Sequence, residues 1–273
     1  MSVTVPDKTT QQMLTGTTPF FAAAADPRFS FCLHVPPAHV FDRPPLPLLV
    51  VVHGTRRSTA PYTRRLAAFA AAHRLVVLCP LFPAGIIEPL DVHNYKALRF
   101  HDIRFDLLLL SILDQAARTW RVHTHRFFLH GFSGGAQFAH RFAYLHPARL
   151  AGLSVAAPGS VTLPDPARPW PAGIADLRTL FDAPEPDFAA LARVPVQLLV
   201  GARDTDTALL ARDDRAAMRT RVDRTRALHA ALAAAGVAAE LAILPGVAHD
   251  GPACLPALEA WLAPLADAFA FDA

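Results

Sequence analysis

The chain has 273 residues, 52% of them hydrophobic, which is enough to build the core of one α/β domain. Its formal net charge is only +3, and many arginines are interleaved with aspartates, as in the run at 211–226, which we interpret as a solvated helix face. This pattern argues against nucleic-acid binding, while the lack of an apolar stretch of about 18 residues and of a secretory signal favours a cytoplasmic protein without a membrane span.

Short apolar runs alternate with helical patterns along the whole chain. The predicted strands cover 29–35, 46–54, 75–80, 126–131, 150–158, 194–204 and the apolar part of 238–250. The predicted helices cover 65–74, 104–120, 134–146, a stretch within 215–235 and the last one, 255–269. Continuous Val/Leu strands that alternate with helices predict a mostly parallel sheet with helices on both faces.

The segment 159–195 interrupts this alternation because it is rich in proline, with short helical patterns only around 175–181 and 187–192. Ligands of such sheets bind beyond the carboxyl ends of the strands, where this segment must lie. We therefore expect a lid or cap within a single domain, and the alternative is a long surface connection without a role.

Cysteine and histidine content gives no sign of a metal or cofactor. Three cysteines, an odd number, do not make a disulfide framework, so Cys32, Cys79 and Cys254 are expected to be buried small hydrophobes. The thirteen histidines match no known spacing of metal ligands.

The stretch "HGFSGG" at 130–135 carries the clearest chemical signal. It matches G-x-S-x-G where a strand ends and a helix begins, a sharp turn that exposes a serine hydroxyl above the sheet. Ser133 is therefore the candidate nucleophile. A serine hydroxyl needs a base, and the base needs an orienting acid.

His249 is the candidate base because it lies in a loop after the apolar strand "LAILP". Of the other histidines after Ser133, two lie on the helix that leaves the nucleophile and one lies in an Ala-rich helical stretch. The acid is expected after the preceding strand, where Asp204 is favoured by its closeness to the strand end and Asp206 is the second choice. Asp250 is expected to shape the loop of the base.

Two backbone amides are candidates for the oxyanion hole that would stabilise a tetrahedral intermediate. One is the N–H of Gly134, directly after the nucleophile. The other belongs to the loop after the strand "LLVVVHG", where we favour the N–H of Thr55.

Four stretches together resemble the α/β-hydrolase superfamily, namely "VVVHGT" at 50–55, "HGFSGG" at 130–135, "VGARD" at 200–204 and "PGVAHDG" at 245–251. The likeness extends from about residue 28 to residue 265 and points to bacterial esterases related to polyhydroxybutyrate depolymerases and esterase D. It implies the α/β-hydrolase fold with a short lid insertion and a Ser–His–Asp mechanism without a cofactor. One departure is "TRR" after "HG", where many relatives have glycine or apolar residues.

The resulting hypothesis is a serine esterase that acts on a small-molecule acyl substrate. An acyltransferase, an amide or peptide hydrolase, and a non-catalytic binding protein of the same fold are the alternatives. Candidate substrate-binding residues are Arg56 and Arg57, whose guanidinium forks suit an anionic group, and Tyr62, Tyr95 and Trp170, which would narrow the pocket for compact acyl groups.

Overall fold

A computed structural model describes residues 7–37, 39, 45–208, 210 and 218–269 of the chain. Within these ranges the strands are β1 (Gly16–Thr17), β2 (Phe21–Ala22), β3 (Ser30–Val35), β4 (Leu48–Val52), β5 (Val76–Leu81), β6 (Arg99–Phe100), β7 (Ile103–Arg104), β8 (Phe127–Phe132), β9 (Leu150–Ala156), β10 (Val196–Gly201) and β11 (Glu240–Leu244). The helices are α1 (Lys8–Leu14), α2 (Ala60–Arg65), α3 (Ala67–Ala72), α4 (Phe105–Trp120), α5 (Gly134–Leu145), α6 (Leu177–Phe181), α7 (Phe188–Leu191), α8 (Arg221–Ala234) and α9 (Gly251–Asp267).

One large sheet organises the molecule. Its strands follow the order β1-β3-β5-β4-β8-β9-β10-β11, and β2 pairs with the edge of β3. Pairing is parallel from β5 through β11, whereas β3 runs antiparallel to β5. The prediction of a mostly parallel sheet is therefore confirmed, and β6 and β7 form a separate two-stranded ribbon.

Two hydrophobic clusters cover the two faces of this sheet. Successive side chains of a strand point to opposite faces, and in β4 Leu48, Val50 and Val52 join one cluster while Leu49 and Val51 join the other. The first cluster also contains residues of α4 and α5, and the second contains residues of α3 and α9. The helices therefore lie on both faces, as the continuous apolar strands predict. All three cysteines are buried and free, as expected.

Two predicted helices begin at other residues in the structure, because proline and a capping residue set where they start. The predicted helix at 65–74 is two short helices, α2 and α3, and α2 begins earlier because Pro61 stands in its first turn. The last helix begins at Gly251, four residues before its predicted start, because Asp250 caps it and Pro252 follows. Part of the charged run at 211–226, namely 211–217, lies outside the described residues.

The segment 159–195 packs against the first cluster instead of extending into solvent. Leu177 and Phe181 of α6 are buried, and Trp170 packs against the same cluster. The indole N–H of Trp170 donates to the carbonyl of Ala97 at 2.8 Å, and its ring lies 5.0 Å from that of Phe181. Across the described ranges, no helix combines the length and apolar character that a membrane span requires.

Candidate active site

Ser133 occupies the sharp turn between β8 and α5. Its φ of +56° is uncommon for a residue with a side chain and costs about 1–3 kcal/mol. Ser133 stands at the N-cap of α5, yet its side chain makes no capping bond. The backbone N–H of Ser133 donates to the carbonyl of Ala156 in β9 at 2.8 Å, which fixes the turn to the sheet and leaves the hydroxyl available.

The framing glycines of the turn are required by close backbone contacts. A Cβ at Gly131 would collide with the carbonyl oxygen of Gly135. A Cβ at Gly135 would collide with the carbonyl oxygen of Val52 in β4. The G-x-S-x-G pattern thus reflects the tight packing of the start of α5 on the neighbouring strands.

His249 lies in the loop between β11 and α9 and contacts both Ser133 and Asp204. Its Nε2 is 3.1 Å from the Oγ of Ser133, and its Nδ1 is 2.6 Å from an Oδ of Asp204. A carboxylate only accepts, so Nδ1–H is the donor to Asp204. In the neutral ring, Nε2 is then the acceptor for the hydroxyl proton of Ser133.

Asp204 is buried, with 1% of its surface exposed, and beside His249 it has a second partner, which is a cation. Arg221 of α8 donates to the other carboxylate oxygen of Asp204 at 3.0 Å. Asp206 is exposed, and its carboxylate accepts from the backbone N–H of Ala208. Of the two candidate acids, only Asp204 contacts the imidazole of His249, while Asp250 caps α9 through the N–H of Ala253.

The charged run at 211–226 is not a solvated face at two of its described positions, so that prediction is wrong there. Arg221 and Arg224 are 6% and 2% exposed, respectively. Arg224 donates to the carbonyls of Met218 and Gly159. Both guanidinium groups reach inward because α8 packs beside β10, and this contact depends on tertiary packing that the sequence pattern does not contain.

Gly134 directly follows Ser133, and the loop of Gly54 and Thr55 packs against these two residues. The Oγ1 of Thr55 is 3.2 Å from the position that a Cβ on Gly134 would take, and a Cβ on Gly54 would lie 3.6 Å from that of Ser133. Neither amide donates a hydrogen bond to any residue that the structure describes. Gly134 is the first residue of α5, where helix amides lack internal partners and favour negative charge.

Hydrogen bonds from buried side chains fix the loop that carries Thr55. His53 is fully buried, and burial lowers its pKa to about 4, so the ring is neutral. Its Nδ1–H donates to the carbonyl of Gly54 at 2.9 Å, and its Nε2 accepts from the N–H of Phe82 at 3.0 Å. The hydroxyl of Tyr95 donates to the carbonyl of His53 at 2.9 Å.

The candidate substrate-binding residues have different surroundings. Arg57 donates to the carbonyls of Thr55, Phe82 and Val92 and to the amide oxygen of Asn94, whereas Arg56 is exposed. Tyr95 is fully buried, Tyr62 is 4% exposed beside Gly251, and the polar contact of Trp170 is with Ala97.

Sequence reasoning missed Lys96, which lies beside the amide of Gly134. Its Cε is 2.9 Å from the position of a Cβ on Gly134. The chain contains only two lysines, Lys8 and Lys96, among many arginines. This unusual choice of residue is the one signal that could have drawn attention to the position.

Comparison with known proteins gives structural neighbours only. No family model matches the chain, and no curated protein matches it either. Among solved structures, a poly(aspartic acid) hydrolase from Sphingomonas sp. KT-1 is 22% identical with a TM-score of 0.74, covering 90% of this chain and 98% of that one. A poly(3-hydroxybutyrate) depolymerase from Bordetella parapertussis is 26% identical with a TM-score of 0.68, covering 85% and 82%. An S-formylglutathione hydrolase from Agrobacterium tumefaciens is 18% identical with a TM-score of 0.59, covering 88% and 89%. The chain therefore has the α/β-hydrolase fold.

Proposed function

We propose that the protein is a serine hydrolase that cleaves an ester or related acyl bond through an acyl-enzyme intermediate. The hydrogen-bonded chain from Ser133 through His249 to Asp204 is the observation that carries this function. It joins a nucleophile, a base and a buried acid in the order of contacts that activates a serine hydroxyl.

The reaction proceeds in two balanced halves. Nε2 of His249 accepts the hydroxyl proton of Ser133 while Oγ attacks the acyl carbonyl, and the oxyanion accepts from the N–H groups of Thr55 and Gly134. The imidazolium then gives its proton to the leaving group. In the second half, water gives a proton to His249 and attacks the acyl-enzyme. The imidazolium then returns that proton to Oγ of Ser133 as the bond to the acyl group breaks and the acid leaves.

Asp204 acts through His249 and does not touch the substrate. Its carboxylate accepts from Nδ1–H, which selects the tautomer with a free Nε2. It also stabilises the imidazolium that forms after proton transfer. No cofactor enters this mechanism.

The structural neighbours support a hydrolase, and their names leave two bond types open. Two neighbours are named for poly(3-hydroxybutyrate), which is a polyester, and for S-formylglutathione, which is a thioester. Poly(aspartic acid), the named substrate of the neighbour with a TM-score of 0.74, is joined by amide bonds. An amide hydrolase is therefore the second candidate, and an acyltransferase would use the same intermediate.

We further propose that compact acyl groups are the preferred small-molecule substrates. The segment 159–195 packs against the first cluster through Trp170 and Phe181, and the indole of Trp170 bonds the carbonyl of Ala97, next to Lys96. We expect this segment to form a fixed wall of the site. A series of esters from acetate to decanoate tests this point. A kcat/KM that keeps rising to decanoate contradicts a closed wall.

Ser133→Ala tests the function itself. We expect it to reduce kcat/KM for an aryl acetate by about 10⁴-fold or more, since the nucleophile is lost, and to abolish labelling by a fluorophosphonate. Ser111→Ala on α4 is the matched control and should keep both. Native protein that neither labels nor turns over any ester or amide would favour a binding protein.

Analysis of the reaction products distinguishes ester hydrolysis, amide hydrolysis and acyl transfer. Purified protein is offered an ester and the amide of the same acid, with and without an added alcohol acceptor. Release of free acid from the ester alone supports the esterase. Faster release from the amide supports the second candidate, and a new ester with the acceptor identifies acyl transfer.

A further inference from the structure

Lys96 stands at the edge of the proposed oxyanion hole. It follows Tyr95, whose hydroxyl would also collide with a Cβ on Gly134. The Cε of Lys96 is 2.9 Å and the Oγ1 of Thr55 is 3.2 Å from that Cβ position, so the three residues meet at one point. A carbon–nitrogen bond is about 1.5 Å long, so the ammonium of Lys96 lies within about 4.5 Å of that Cβ position. Gly134 is thus a glycine because Tyr95 and Lys96 occupy the space of its side chain.

The ammonium of Lys96 is buried without a carboxylate partner. Lys96 is 7% exposed, and it forms no ion pair with any described residue. Its Nζ lies 2.7 Å from Nδ1 of His93, which accepts as a neutral ring because an ammonium only donates. The carboxylate of Asp91 attracts Lys96 from further away and is itself bonded to the amides of His93 and Asn94.

Three other cations act on Lys96, and two of them, Arg57 and Arg141, bond only neutral groups. Arg141 is 1% exposed and donates to neutral acceptors, among them the carbonyl of Lys96 at 2.6 Å. Arg57 also bonds neutral oxygens only, and the charge of Arg221 is taken by Asp204. Burial, and then repulsion from Arg57, lowers the pKa of Lys96 to about 8. A buried charge is costly unless it is paired, so this corner of the site favours an incoming anion.

We propose that, given the hydrolase function above, Lys96 binds a carboxylate of the substrate next to the oxyanion hole, so that the site selects acidic esters or amides. Arg56 and Arg57 were the sequence-based candidates for this role. Arg57 has its guanidinium bonded to the loop that carries Thr55, which leaves Lys96 as the buried cation that lies against Gly134. Bound carboxylate would replace the missing counter-ion of Lys96.

Two pairs of esters test this role, each comparing a carboxylate with an isopropyl group of the same shape. Monomethyl succinate and methyl 4-methylpentanoate carry the difference on the acyl side. O-acetylglycolate and isobutyl acetate carry it on the alcohol side. Acid release at constant pH gives kcat/KM for all four esters. We expect native protein to prefer the anionic ester in at least one pair, and Lys96→Met to reduce that ratio by about 10- to 100-fold, as loss of a hydrogen bond to a charged group implies.

Two controls separate recognition from a structural effect. Arg56→Gln changes an exposed cation of the same region and should keep the ratio. In native protein the ratio should fall as the pH rises from about 7 to about 9, through the pKa of Lys96 of about 8, because Lys96 binds the carboxylate only while protonated. A general loss of structure would lower both rates and leave their ratio unchanged.

Several outcomes overturn the role of Lys96. These are equal rates within both pairs, a ratio that Lys96→Met leaves unchanged, or a ratio that Arg56→Gln removes instead. Neutral ester hydrolysis that depends on Ser133 would stand in each of those cases. Absence of any Ser133-dependent turnover would instead contradict the hydrolase function itself.

Discussion

The two halves of the candidate site are anchored in different ways. The proposed nucleophile and the proposed oxyanion loop follow the buried strands β8 and β4, and the loop is fixed by hydrogen bonds from His53, Arg57 and Tyr95. His249 lies on a loop after the edge strand β11, and 31% of its side chain is exposed. Its position depends on Asp204, which Arg221 holds in turn.

The two halves therefore differ in what they require: the nucleophile and the oxyanion donors require a rigid position, and the base requires a fixed orientation. A nucleophile and its oxyanion donors need fixed geometry, which many buried hydrogen bonds supply. A base must give and receive protons while water enters, which suits a half-exposed ring held from one side. We therefore expect single substitutions to have their largest effect where one contact carries the orientation.

Asp204→Asn should have the largest effect among changes in the half that carries the base. An amide in place of the carboxylate can donate to Nδ1 and so select the wrong tautomer, and we expect kcat to fall by about 10³–10⁴-fold. Asp206→Asn is the matched control, and it should change kcat less than about threefold because Asp206 caps an exposed turn. Rates with an aryl acetate decide the matter. A larger loss from the change at position 206 would exchange the two roles.

The residues of the site that the sequence predicts are those with a signal in the neighbouring residues. The turn at Ser133 and the loop at His249 follow apolar strands directly, so strand ends and motif spacing are sufficient to find them. The preference for Asp204 over Asp206 comes from its closeness to a strand end. Each of these signals lies within about ten neighbouring residues.

Lys96 and Arg221 show what such patterns cannot predict. Both are charged, and Arg221 lies in a run that has the composition of a solvated helix face, yet both are buried. Their burial depends on what packs against them, namely the start of α5 for Lys96 and the loop after β10 for Arg221. The start of α9 is a different case, because its signal is local: Asp250 and Pro252 are typical of a helix N-terminus.

Arg57→Ala tests how far the half that carries the nucleophile and the Thr55 loop depends on the hydrogen bonds of Arg57. Arg57 donates four hydrogen bonds and lies 5.2 Å from the ring of Tyr95. Its loss should lower the free energy of unfolding by about 2–4 kcal/mol and displace the amide of Thr55, which reduces kcat by about 10²-fold. Denaturant titration and ester kinetics measure both. Arg56→Ala should lower the free energy of unfolding by less than about 0.5 kcal/mol, and equal effects of the two changes would contradict this account.

Arg221→Met tests whether the acid needs its own support. Removing the guanidinium leaves one oxygen of Asp204 without its charged donor, which should lower the free energy of unfolding by about 2 kcal/mol. We expect kcat to fall about tenfold with little change in KM, since Asp204 orients the base and does not bind substrate. Arg226→Met, on the exposed side of α8, is the control. A change in KM alone would assign Arg221 to substrate binding instead.

Asp250→Ala should have the smallest effect, although its neighbour is the base. Asp250 caps α9 by accepting from the N–H of Ala253 at 3.2 Å, and loss of such a cap costs about 0.5–2 kcal/mol. Its carboxylate is not bonded to His249, whose Nδ1 is already engaged with Asp204. We therefore expect thermal unfolding to shift while kcat changes less than about threefold, and Asp250→Ser, which keeps a capping oxygen, should restore the stability. A loss of activity as large as that of Asp204→Asn would mean that the loop of the base is held by Asp250 and not by the pair of Asp204 and Arg221.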